Sequence, residues 1–170
     1  MLFRSQFICE RIQFLCQSAF EENNKTCVEN GIPNWSNSQW REYFDQKFHH
    51  FGNVMVTYDD FYNKFHTDEC DVNTFAYGLF SYIDKRTGKP IPPPSQELGH
   101  GLLFRDHACI VDFAHSFGIV EILWKTSEFM HQTTKPPSSP KTSSINTHFG
   151  FSFQINKKLL DRSKKLNFPD

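Results

Sequence analysis

Between residues 148 and 155 the chain alternates without interruption. Phe149, Phe151, Phe153 and Ile155 fall on one face of an extended segment, and His148, Gly150, Ser152 and Gln154 on the other. Period-two alternation marks a β-strand. A strand leaves backbone groups to be paired, so partners must lie upstream. Strand character begins near residue 53 with Val54, Met55, Val56 and Thr57, returns in the buried-strand run 75–83, and recurs at 101–104, 108–113 and 118–124, with turn residues between the runs. The run 75–83 stops at Asp84, Lys85, Arg86, Thr87 and Gly88, and Pro92, Pro93 and Pro94 stiffen the surface loop that follows. A Pro/Ser/Thr/Lys-rich loop leads up to Asn146.

Upstream of the strands, Ile8, Ile12, Leu15 and Ala19 recur at helical spacing over residues 5–20, and the polar run Glu21 to Lys25 ends that pattern. A second helix is expected after Ser36, with Trp40, Phe44 and Phe48 on one face. Nineteen phenylalanines favour packing built on aromatic strands over a helical bundle. The expected fold is mainly β (α+β), a sandwich or open barrel of jelly-roll type with two N-terminal helices packed on the sheet. The 170 residues suffice for one core. The expected division is helices in 1–50, the β core in 51–160 and a basic C-terminal tail in 161–170.

A formal net charge of −1 gives no whole-protein attraction to nucleic acid, so contact with DNA would need a local basic patch. The five cysteines, Cys9, Cys16, Cys27, Cys70 and Cys109, are scattered and form no Cys-x-x-Cys pair, which argues for reduced thiols rather than a disulfide framework or a zinc site. Arg4, Glu10 and Arg11 interrupt the apolar N-terminal pattern, so neither a signal peptide nor a membrane span is expected there. An intracellular protein is the expectation.

The chemistry-bearing stretch is Asn63 to Asp71, which holds the pair His66 and Asp68. Residues two apart on a strand point the same way, so an imidazole nitrogen and a carboxylate oxygen would converge. One more histidine from a distant strand would complete a 2-His-1-carboxylate triad, the set that leaves positions open on iron(II). A solvated turn explains the same two residues, and the spacing alone does not decide.

Several ordered blocks decide it together: His66 to Asp71, Tyr77 to Phe80, Val111 to Phe113, Gly118 to Trp124, Met130 to Thr134, and a closing strand from Thr147 to Lys158. This combination resembles the TET/JBP dioxygenases, with its closest likeness to the TET-like 2-oxoglutarate/iron(II) oxygenases of fungi, over roughly residues 53–159. The resemblance implies a double-stranded β-helix, iron(II) held by His66, Asp68 and His131, 2-oxoglutarate and dioxygen as cosubstrates, and oxidation of a methylated base, 5-methylcytosine above all, in DNA. It also implies a nuclear location. His100, His107 and His115, in or beside turns, are expected to be surface or capped histidines.

One departure stands out. The family's last strand carries an arginine that pairs with the distal carboxylate of 2-oxoglutarate, and here His148 stands in that place. Histidine is shorter and only partly charged near neutrality, so weaker, pH-sensitive cosubstrate binding is expected, with Lys135 and Lys141 as alternative sources of charge. Two other readings remain at this stage: a catalytically degenerate binding module of the same fold, and an oxygenase whose substrate is not nucleic acid. For contact with DNA the sequence offers Lys157, Lys158, Arg162, Lys164 and Lys165 near the end, and Tyr58, Tyr62 and Asn63 ahead of the metal motif.

Overall fold

The computed structural model describes residues 2–32, 54–59, 61–93, 100–113, 118–135 and 145–167. Helix α1 (Leu2–Leu15) and helix α2 (Gln17–Glu29) precede seven strands: β1 (Val54–Thr57), β2 (Phe75–Asp84), β3 (Gly101–Phe104), β4 (Cys109–Asp112), β5 (Ile119–Lys125), β6 (His131–Thr133) and β7 (Asn146–Phe153). A single 3₁₀ turn, Arg105–His107, joins β3 to β4, and helix α3 (Lys157–Asn167) closes the chain. The strands form two antiparallel sheets, in the orders β1-β7-β2-β5 and β4-β3-β6. None of the described helices is long and apolar enough to cross a membrane.

The expected strand at 148–155 is β7, and it sits second in the larger sheet because both of its faces are useful. Its partners on β2 are Tyr77 opposite Phe153, Leu79 opposite Phe151 and Tyr82 opposite His148. The Phe151 and Phe153 side therefore faces outward with Tyr77 and Leu79, and Ile8 and Ile12 of α1 pack there with Tyr77, Leu79 and Phe153. The His148, Gly150 and Ser152 side looks toward the smaller sheet. Between the sheets lies the main core, formed by Ala76, Leu102, Phe104, Phe113, Ile122 and Trp124. Gly78 and Gly150 make room for its rings: a Cβ on Gly78 would come within 2.6 Å of the Phe80 ring, and one on Gly150 within 2.8 Å of the same ring.

The helices depart from expectation in an informative way. The continuous helix expected over 5–20 is split at Cys16, whose backbone is extended (φ −158°, ψ 102°). Ile8 and Ile12 stay on the outer face of the sheet, and the break lets Ala19 be buried completely while Leu15 is left exposed. The polar run from Glu21 does not end the helix but serves as its docking face. Glu22 Oε1 accepts from both Thr74 N–H (2.8 Å) and Thr74 Oγ1–H (2.9 Å), Thr26 Oγ1 donates to Asn73 Oδ1 (2.7 Å), and Asn23 bonds to Asn73. Arg11 adds an ion pair to Glu121 of β5. The second expected helix, with Trp40, Phe44 and Phe48, lies outside the described residues.

The basic end, expected as a tail with helical character over Lys157 to Lys165, forms α3, with Leu159 packed against Ile32 and Ile155 and Ser163 Oγ–H donating to Asn30 O at 2.9 Å. Replacing Glu22 by Ala removes the acceptor for two part-buried donors and is expected to destabilise the fold by about 1–3 kcal/mol. Glu22→Gln, which keeps an acceptor oxygen, should lose less. Urea denaturation midpoints measure both, and an unchanged midpoint for Glu22→Ala would contradict this role for α2.

Candidate metal centre

The segment ahead of β2 is not a regular strand, yet it pairs with β6 as one would. Asn63 N–H donates to Thr133 O (3.2 Å), Thr133 N–H to Asn63 Oδ1 (2.7 Å) and Gln132 Nε2–H to Asn63 O (2.8 Å). Three residues later the backbones of His66 and His131 exchange hydrogen bonds, N–H of His66 to O of His131 at 3.1 Å and N–H of His131 to O of His66 at 2.9 Å. Directly opposed residues in an antiparallel bridge project to the same side. The two rings accordingly lie 4.5 Å apart between centroids.

Asp68 is brought in by the loop, its N–H donating to Thr126 O (2.9 Å) and its carbonyl accepting from Asp71 N–H (3.0 Å). Its carboxylate lies between the rings, with Oδ1 3.6 Å from His66 Nε2 and Oδ2 3.6 Å from His131 Nε2. One donor atom from each of the three residues falls within 4.8 Å of the others. The convergence expected of a strand thus arises from one bridge followed by a turn.

Ring orientation follows from the other imidazole nitrogen. His66 Nδ1 lies 2.8 Å from Lys64 O, and His131 Nδ1 lies 2.8 Å from Phe129 O. A carbonyl can only accept, so each Nδ1 carries a proton and each ring turns its Nε2 toward Asp68. This is how protein carbonyls hold histidine in the tautomer a metal needs. His131 is deeply buried, with Trp124 edge-on at 5.7 Å, whereas His66 and Asp68 keep side-chain exposures of 35% and 25%. Burial pushes the His131 imidazole down, but its bonds to Asp68 and to Phe129 O and the charges of Asp68 and Asp71 outweigh that, and its pKa ends above the ordinary value. Burial lifts the Asp71 carboxyl to about 6, and Asp68 adds to the rise.

His148 is placed elsewhere. It lines a crevice next to the metal cleft rather than the cleft itself, and the two share Thr57, Phe80 and Thr133 as walls. Its ring lies 4.7 Å from that of Tyr82 and 3.9 Å from that of His100. Burial, reinforced by His100 and opposed by Asp112, lowers its pKa to about 3, so the imidazole is neutral at ordinary pH.

The expectation that His100 is a surface or capped residue is wrong: it is 2% exposed. Its position at spacing two from Leu102 and Phe104 was the available signal, since those residues face the core between the sheets. His107 is exposed on the 3₁₀ turn and packs on Phe129, while His115 and Lys141 lie outside the described residues. Lys135 sits over the exposed Tyr62 ring at 5.5 Å. Asn63 supports the bridge between the histidines, and Tyr58 stands 63% exposed.

The family model for the Tet-like 2OG-Fe(II) oxygenase superfamily matches residues 4–136. The match takes in His66, Asp68 and His131 and ends before β7, which carries His148. No curated protein matches the chain. With more than half of its length matched, the chain belongs to the Tet-like 2OG-Fe(II) oxygenase superfamily and is a dioxygenase, an oxidoreductase that works with iron(II), 2-oxoglutarate and dioxygen.

Proposed function

We propose that His66, Asp68 and His131 are the iron(II) ligands, that the two facing sheets are the halves of a double-stranded β-helix, and that the enzyme oxidises a methylated base, 5-methylcytosine in DNA. The observation that carries the metal assignment is the donor set itself. Two imidazoles with their Nδ1 protons tied to carbonyls and one carboxylate between their Nε2 atoms form a facial N,N,O set of the kind iron(II) oxygenases use. Bound iron(II) and 2-oxoglutarate supply oxidation by dioxygen coupled to decarboxylation of the keto acid to succinate.

The chain's own residues do the rest. Trp124, Phe80 and Leu102 wall the cleft and limit water, which protects a reactive centre. The part-exposed side at His66 and Asp68 leaves a way in for substrate. His148 receives the distal carboxylate of the keto acid as a neutral hydrogen-bonding partner, without the charge of an arginine.

For the substrate, the support is the family resemblance together with local charge. Lys157, Lys158, Arg162, Lys164 and Lys165 lie along α3, and the N–H of Lys157 donates to Cys70 O at the end of the metal loop, so this basic helix starts beside the site. Lys135 and exposed Tyr62 stand at the same segment as Asn63, and an aromatic ring with a neighbouring ammonium group suits a base and its phosphate. A nuclear location follows from that substrate.

Two measurements test the reading. Alanine in place of His66, Asp68 or His131 should abolish tight iron(II) binding in an anaerobic titration; stoichiometric binding by all three variants would refute the ligand assignment. Succinate release by the iron-loaded protein should be stimulated by DNA containing 5-methylcytosine more than by unmethylated DNA, methylated RNA or methylated peptides. Equal release with all four would remove the substrate proposal and leave the oxygenase.

A further inference from the structure

We infer that Asp71 supplies the metal centre with a second negative charge from outside its donor set, strengthening the hold on a divalent cation without touching the ion. The inference rests on the ligand assignment above and adds Asp71, which that assignment leaves without a task.

Placement is the first argument. Asp71 belongs to the same turn as Asp68, its N–H donating to Asp68 O at 3.0 Å, and Asp68 N–H in turn donates to Thr126 O at 2.9 Å. The Thr126 hydroxyl and the charges of Asp68 and His131 all act on the Asp71 carboxylate, so it stands within electrostatic reach of two of the three ligands. Isolation is the second argument. Both of its oxygens are closed to solvent, and among the described residues neither has a hydrogen-bond partner. No described lysine or arginine balances the charge.

A structural task for this carboxylate is already filled by the main chain. Asp71 forms a β-bridge with Asn156, Val72 N–H donates to Ile155 O (2.7 Å) and Lys157 N–H to Cys70 O (2.8 Å), which fixes the turn on the segment after β7 without help from the side chain. A carboxylate buried without a partner destabilises a fold, and an amide of the same shape would hold the turn at lower cost. A cation close by reverses that balance. Coulomb's law makes the attraction of one buried charge for a divalent ion twice that for a monovalent one at the same distance. The converging donors are His66, Asp68 and His131, with Asp68 the one carboxylate among them. Asp71 therefore adds charge to the centre without adding a bond.

The test uses the full chain with manganese(II) as the probe, followed by electron paramagnetic resonance at one fixed pH. Asp71→Asn removes the charge and keeps the shape. It should weaken manganese(II) about tenfold, leave the spectrum of the saturated protein unchanged because no ligand is lost, and raise the urea midpoint of the metal-free protein. Thr126→Val, which removes the neighbouring hydroxyl but no charge, should change the affinity by less than about threefold. Opposite signs for metal affinity and metal-free stability are what a merely structural carboxylate would not give. An Asp71→Asn protein that binds manganese(II) as tightly as the unaltered chain, has a lowered metal-free midpoint or does not fold would overturn the inference. So would an altered spectrum at saturation, or equal weakening by Thr126→Val. Failure of manganese(II) to bind the unaltered protein would instead sink the ligand assignment and this inference with it.

Discussion

Two backbone hydrogen bonds, exchanged between His66 and His131, set where every other functional group can go. They pair residues that are far apart in the chain, and by doing so they align two side chains that no local interaction could align. Each ring is then turned by a carbonyl two residues before it, Lys64 O in one case and Phe129 O in the other. The same local device, used on both sides of the bridge, leaves both Nε2 atoms directed at one carboxylate. A donor set of this kind is oriented by the backbone alone, before anything binds to it.

The loop that carries His66 and Asp68 has little regular structure of its own and is held from outside. Thr126 accepts from Asp68 through its carbonyl and donates through its own N–H to Thr74 O at 3.2 Å, and Thr74 is clasped by Glu22 of α2. On the other side Val72 N–H donates to Ile155 O (2.7 Å) and Lys157 N–H to Cys70 O (2.8 Å). The helices thus matter to the site although, among the described residues, none from a helix lines the cleft. This gives a physical reason for the family match to begin at residue 4, well upstream of the strands.

Strands whose burial is written in alternation, such as β7, or in a continuous apolar run, such as β2, were readable from the sequence, and the edges of β3 and β5 agree with it to within about a residue or two. That His66, Asp68 and His131 come together was readable as well, though for His131 only through resemblance, since a three-residue strand has no periodicity to detect. What stayed hidden depends on contacts between distant segments. Glu22, Asn23 and Thr26 look like the polar end of a helix until Asn73 and Thr74 are placed against them. Cys16 carries no sign of a break, which is imposed by where Ile12 and Ala19 must each be buried. His100 was misjudged because a turn-side histidine is usually solvated, whereas here the ladder extends past Gly101 through the bond from Phe113 N–H to His100 O at 2.9 Å.

The functional account joins a family of known chemistry to a particular set of side chains. Its distinctive feature is a crevice beside the cleft that is walled by two buried imidazoles, His100 and His148. The account stands or falls on what surrounds the iron. X-ray absorption at the iron edge, on protein loaded anaerobically with one equivalent of iron(II), reads that shell directly. It should show nitrogen and oxygen neighbours with the outer-shell scattering of two imidazoles, reduced to one in the His131→Ala protein. A spectrum with sulfur neighbours from the cysteines, or without imidazole scattering, would contradict it.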